Sequence, residues 1–124
     1  MKENIVQQKS YEFAKKIIKF HFYATKKYNE YIITKQLLRS WTSIWANISE
    51  SISWQSGRDF LHKLSIAYKE ASETKYRLSL IKDTKIFPED TDQITELLHD
   101  CEEIRRILTA IIKTLKEKSK SPQL

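Results

Sequence analysis

Glycine occurs once in this chain, at Gly57, proline twice, and cysteine once, at Cys101. Tight hairpins and β-turns lean on glycine and proline to reach their backbone angles, so a sheet would have almost nowhere to turn. The scarcity predicts an all-α fold. It also leaves no glycine-rich loop to cradle phosphate, which removes support for a nucleotide-using enzyme. A lone thiol excludes an intramolecular disulfide and fits a reducing compartment, with Cys101 expected as a small buried apolar residue. No apolar run approaches the roughly 20 residues that a membrane helix needs, and the opening stretch MKENIVQQKS lacks the apolar centre of a signal peptide. The expectation is a cytoplasmic protein that makes no membrane contact.

What the chain does have is charge and a helical rhythm. Its 124 residues suit one domain, 1–124, able to bury a core without staples. The formal net charge is +6 and the pI is near 9.4. That surplus sits at the front: residues 1–35 carry eight lysines against three glutamates, whereas residues 86–124 carry six basic and eight acidic residues. A basic front favours an anionic partner.

Apolar residues at spacings of three and four mark four helices. The first is expected from Ser10, a good N-cap, to Tyr28, with Phe13, Ile17, Phe20 and Ala24 inward and Asn29 as the stop. The second runs from Thr34 to Ser53 around Leu37, Trp41, Ile44 and Ile48. Ser56 with Asp59 reads as a variant capping box for the third, which continues through Phe60, Leu64, Ala67, Ala71, Leu78 and Ile81. Pro88 ends that stripe, and Asp90 or Thr91 caps a last helix carrying Ile94, Leu97, Cys101, Ile104, Leu108 and Ile111. Residues 1–9 and 117–124 read as frayed tails. Short links between amphipathic helices predict an antiparallel up-and-down four-helix bundle; a three-helix bundle with the first two helices merged is the alternative.

Catalytic and metal chemistry find no constellation. Asp59/His62 and Glu96/His99 have the carboxylate-to-histidine spacing used in di-iron bundles, yet at about 100° per residue both pairs point away from the predicted core. His21 reads as a hydrogen-bonded edge residue, and Cys101 and His99 lie on different helix faces. The reading is a non-enzyme with no cofactor, no metal and no small-molecule substrate.

Two features ask for a second surface. Between Gln36 and Ser53 only Arg39 and Glu50 are charged, and a polar lane of Gln36, Ser40, Ser43, Asn47 and Glu50 runs beside the apolar one. Buried groups of that kind cost about 1–3 kcal/mol each when unpaired, so the lane is expected to meet a neighbouring helix, with Glu73 and Arg77 as partners. On the first helix, Tyr11, Ile18 and Phe22 line a second apolar face with Lys15, Lys19 and Lys26 beside them. That stripe suits packing against another subunit. Alternatively it suits RNA or DNA, where lysines meet phosphates and aromatics meet bases; Lys27 and Arg39 join the candidate contacts.

At these residues the chain resembles the 23S ribosomal RNA intervening-sequence proteins, also called four helix bundle proteins. The likeness rests on QLLRSWTSIWANISE, through Gln36, Arg39, Ser40, Ser43, Ile44, Asn47, Ile48 and Glu50, and continues through Asp59, Phe60, Leu61, Ile66, Ala67 and Glu73. Ser51 and Glu70 depart from the family pattern, which commonly has glycine and serine there. The resemblance implies an antiparallel bundle that assembles as a ring-shaped homopentamer without enzymatic activity. The family name records a gene location, not an activity. The functional expectation is therefore a homo-oligomeric bundle with a basic surface for nucleic acid; the alternative is a protein-binding scaffold.

Overall fold

The structure, a computed structural model, describes residues 2–53 and 57–120. Four helices hold most of them: α1 Lys2–Tyr28, α2 Ile32–Ser53, α3 Gly57–Thr84 and α4 Thr91–Lys120. Each helix packs on its neighbours in sequence and α1 closes against α4, with no diagonal contact, which is the square arrangement of an up-and-down bundle. The cross-links confirm antiparallel register. Ser10 and His21 of α1 meet Trp41 and Thr34 of α2, while Lys9, Lys16 and Lys27 meet Glu103, Asp100 and Asp90 in reverse order.

The helix ends follow local chemistry. Asn29 takes φ 57°, the left-handed conformation that asparagine tolerates, and its N–H returns to the Thr25 carbonyl. Lys85 follows α3 in the same left-handed conformation at φ 55°, its N–H returning to the Lys82 carbonyl three residues back at 3.2 Å. Asp90 occupies the N-cap position of α4, its carbonyl accepting the Ile94 N–H at 3.1 Å. The proposed Ser56 cap lies outside the described residues.

Three expected boundaries need correction. Residues 2–9 are helical, not frayed: Val6 lies one further step along the stripe of Phe13 and is 1% exposed, so the core reaches it. Ser10 consequently sits mid-helix, its hydroxyl donating to the Gln7 carbonyl at 2.9 Å instead of capping. The second helix begins at Ile32 because one carboxylate oxygen of Glu30 accepts the N–H groups of Ile32 and Ile33, both at 3.0 Å. At the far end α4 continues to Lys120.

The core is the meeting of the four apolar stripes. Trp41, fully enclosed, anchors it: its ring meets Phe13 edge-on at 4.1 Å, and its indole N–H donates to the Ser10 carbonyl at 2.9 Å. Phe20 and Phe87 stack edge-to-face at 5.4 Å beneath the turn that joins α3 and α4. Each fully buried Leu, Ile or Phe side chain contributes about 1.5–3 kcal/mol relative to exposure, so the stripes outweigh the helices' own marginal propensity.

Candidate interface on the first two helices

The polar lane of α2 faces α3, but its residues do not act alike. Ser40 is buried and accepts a hydrogen bond from the Arg77 guanidinium, and exposed Glu50 pairs with Lys63 at 2.9 Å. Asn47 turns back onto its own helix, donating to the Ser43 carbonyl at 2.9 Å and reaching the Ser43 hydroxyl at 3.4 Å. Gln36 is exposed at the mouth of an open groove of about 570 Å³ that also contains Glu73, and the two are not bonded to each other or to any other described side chain. Of the two expected partners on α3, Arg77 makes the link and Glu73 does not.

The apolar stripe of α1 is open to solvent. Tyr11, Ile18 and Phe22 are 50%, 43% and 66% exposed, and Tyr31 and Ile32 at the α1–α2 turn are 57% and 63% exposed. Tyr11 leans over Trp45 at 5.9 Å, and Phe22 stands edge-on to His21, whose Nδ1 lies 2.9 Å from the Thr34 hydroxyl. Among the described residues the buried side-chain polar atoms without a partner are Thr25 Oγ1, Glu30 Oε1, Trp45 Nε1 and Ser49 Oγ. All four belong to α1, α2 or the turn between them. Sequence reasoning missed Tyr31 and Ile32; their signal was two bulky apolar residues just past the Asn29 stop, after Glu30.

The cations divide into engaged and free. Lys15 pairs with Glu12 at 3.1 Å and sits over the Tyr11 ring at 5.2 Å. Lys27 is spent within the chain: it donates to the Tyr23 hydroxyl at 2.9 Å and pairs with Glu89 at 3.0 Å and Asp90 at 3.1 Å. Those three partners hold its ammonium above the ordinary lysine range. Asp90 gathers further donors, Tyr23 at 2.8 Å and Tyr28. Burial pushes its carboxyl up, and the hydrogen bonds from Tyr28, Tyr23 and Lys27 outweigh that, leaving it below the usual aspartate value. Lys19, Lys26 and Arg39 are exposed, and among the described residues no carboxylate lies within ion-pair distance of them.

The α3–α4 side answers its own polar groups. Arg105 donates to Ser72 at 3.1 Å, Glu102 at 2.6 Å and Tyr68 at 3.3 Å, and Lys75 reaches the same Glu102 at 2.9 Å. Cys101 is buried with its thiol 3.4 Å from the Ala71 carbonyl, and burial pushes it up to about 12. Glu96 receives Lys16 at 3.2 Å, while His62 and His99 are exposed. No three His, Cys, Asp or Glu side chains converge among the described residues, nor is any helix there long and apolar enough to cross a membrane.

An antiparallel bundle with a self-satisfied back and an unsatisfied front hairpin is the class of protein this geometry defines. The chain belongs to the 23S rRNA-intervening sequence protein family, whose model matches residues 2–110. It is similar to the crystal structure of a protein of unknown function from the S23 ribosomal protein family of Bacteroides thetaiotaomicron. The two share 42% identity and a TM-score of 0.84, over 91% of this chain and 99% of that one. No curated protein matches it.

Proposed function

We propose that the chain is a non-enzymatic assembly module. Copies associate through the α1–α2 face into a closed ring, five copies being what the family resemblance implies, and the ring holds nucleic acid through the cations left free on that hairpin. One observation carries the reading: Tyr11, Ile18, Phe22, Tyr31 and Ile32 are exposed on the same hairpin that holds the partnerless buried polar atoms. Exposed large apolar side chains gathered on one hairpin in this way mark an interaction site. Lys19, Lys26 and Arg39 are the preferred phosphate contacts because no carboxylate competes for them; Lys15 follows, and Lys27 is already engaged.

The experiment is mass measurement by light scattering, with wild type beside Ile18→Asp/Phe22→Asp. The expected result is an assembled wild type and a double variant at the 14.8 kDa protomer mass with unchanged helical content. A monomeric wild type overturns the assembly. RNA binding by the assembled protein should weaken steeply with salt, and Lys19→Gln/Arg39→Gln should flatten the logarithmic slope by about 0.7–0.9 for each phosphate no longer neutralised. A flat salt response in the wild type overturns the nucleic-acid role and leaves the protein-scaffold alternative, which nuclease-resistant co-purification of one protein would favour.

A further inference from the structure

A contact between copies needs two faces, and the α1 stripe supplies one of them. Building on the assembly reading, we propose that the α1 stripe of one copy seats in the groove between α2 and α3 of the next, a head-to-tail contact. Among the described residues, Tyr76 and Leu80 are the large apolar side chains exposed outside α1, α2 and their turn, at 67% and 47%. They stand four apart on α3, on one face, and both line the 570 Å³ groove with Gln36 and Glu73.

Charge chooses this groove over a face-to-face pairing of two α1 stripes. A two-fold contact sets each patch against its own copy, so Lys15, Lys19 and Lys26 would meet the same lysines. Like charges brought together in that way oppose association. The α2–α3 groove offers a carboxylate instead. Glu73 has no ion pair or hydrogen bond with a described residue, because Arg77 turns away to Ser40, and the other groove cation, Lys69, is exposed and makes no ion pair with it. Lys26 lies four residues after Phe22, on the same helix surface, and is equally unpaired. Seating Phe22 against Tyr76 and Leu80 therefore matches apolar to apolar and lets Lys26 meet Glu73, leaving Lys19 and Arg39 for phosphate.

The bundle supports the geometry a ring requires. Helices α1 and α3 make no contact with each other and occupy diagonal corners; the stripe leans on Trp45 of α2 and the groove lies between α2 and α3, so the inserting and receiving faces are two different, adjacent sides of one copy. A contact between two different faces then propagates in one direction and closes when the rotation allows.

The test uses full-length protein at matched concentration, with far-UV circular dichroism to check that each variant stays helical. Leu80→Asp and Tyr76→Asp, both at exposed sites, should each shift the assembled mass to that of the protomer. Glu73→Lys should raise the concentration at which assembly is half complete by at least about tenfold, and Lys26→Glu in the same chain should restore it. An assembled wild type whose Leu80→Asp and Tyr76→Asp variants assemble equally well overturns the groove as receiver while the assembly itself stands. Failure of Lys26→Glu to rescue Glu73→Lys overturns the charge pairing. A monomeric wild type defeats both this contact and the assembly beneath it.

Discussion

Two tryptophans on α2, four residues apart, give a sharp test of the packing account. Trp41 is fully enclosed, meets Phe13 edge-on, and donates its indole N–H to the Ser10 carbonyl at 2.9 Å. Trp45 is half-buried under Tyr11, and its indole N–H is buried with no acceptor. Replacing each with phenylalanine removes the same atoms from opposite situations. At position 41 the change combines the removal of one net hydrogen bond, about 1 kcal/mol, with the space left by the smaller ring, about 1–2 kcal/mol, so Trp41→Phe should destabilise by roughly 2–3 kcal/mol. At position 45 the deleted donor was costing about 1–3 kcal/mol by going unpaired, which offsets the reduced packing, so Trp45→Phe should change stability by under about 1 kcal/mol. For a chain of this size 1 kcal/mol moves the midpoint by about 3–5 °C, which separates the variants clearly in a thermal melt. Denaturant unfolding followed by far-UV circular dichroism gives the free energies. Because association would add concentration-dependent stability, the series must be run at two protomer concentrations. Equal destabilisation at the two positions, or a larger effect at Trp45, would refute the assignment of which indole is satisfied.

Two further outcomes follow from the polar clusters. Asp90 is bound by Tyr23, Tyr28 and Lys27, and its carboxyl titrates below the unfolded value of 3.8, so its stabilising effect is present above that value and fades as the pH falls through the lower folded one. Wild type should accordingly lose stability below about pH 4 more steeply than Asp90→Asn. A pH series of urea midpoints checks this, and parallel acid limbs would contradict it. The Cys101 thiol, buried and pushed up to about 12, should react with a thiol reagent at least about a hundredfold more slowly in native protein than in urea. Comparable rates in the two states would show that α3 and α4 open readily where they pack together.

Much of this fold was legible from spacing alone, since Phe13, Ile17, Phe20 and Ala24, and again Ile94, Leu97, Cys101 and Ile104, are all buried where the three-and-four rhythm put them. The errors arose where one residue type supports two local structures. Ser10 has the chemistry of an N-cap, yet its buried place beside Trp41 makes it a mid-helix residue, and only the partner helix reveals that. Glu30 is less common than Ser or Asp as a cap, and its longer side chain starts α2 two residues before Thr34. For the lane, small uncharged residues implied close approach to a neighbouring helix; Ser40 meets Arg77 of α3, whereas Asn47 satisfies its amide within one turn, an option always open to asparagine. Which lysines are free could not be read locally, because the partners of Lys27 lie more than sixty residues away, at Glu89 and Asp90.

The distribution of satisfied and unsatisfied groups carries the deeper inference. Natural bundles leave few buried polar atoms unpaired, and chance would scatter them over all four helices. Here the α3–α4 side binds its arginine, glutamate, serine and tyrosine into one cluster, while Thr25, Glu30, Trp45 and Ser49 fall together on the α1–α2 hairpin. The same hairpin exposes Phe22 and Ile32 more than half. Each unpaired group costs about 1–3 kcal/mol, and an isolated bundle gains nothing from gathering them beside exposed apolar side chains. Covering the face would exclude water from the apolar stripe and let the covered groups repack. The proposed assembly face is the reading that gives the two anomalies one cause, and it sets that cause on α1 and α2.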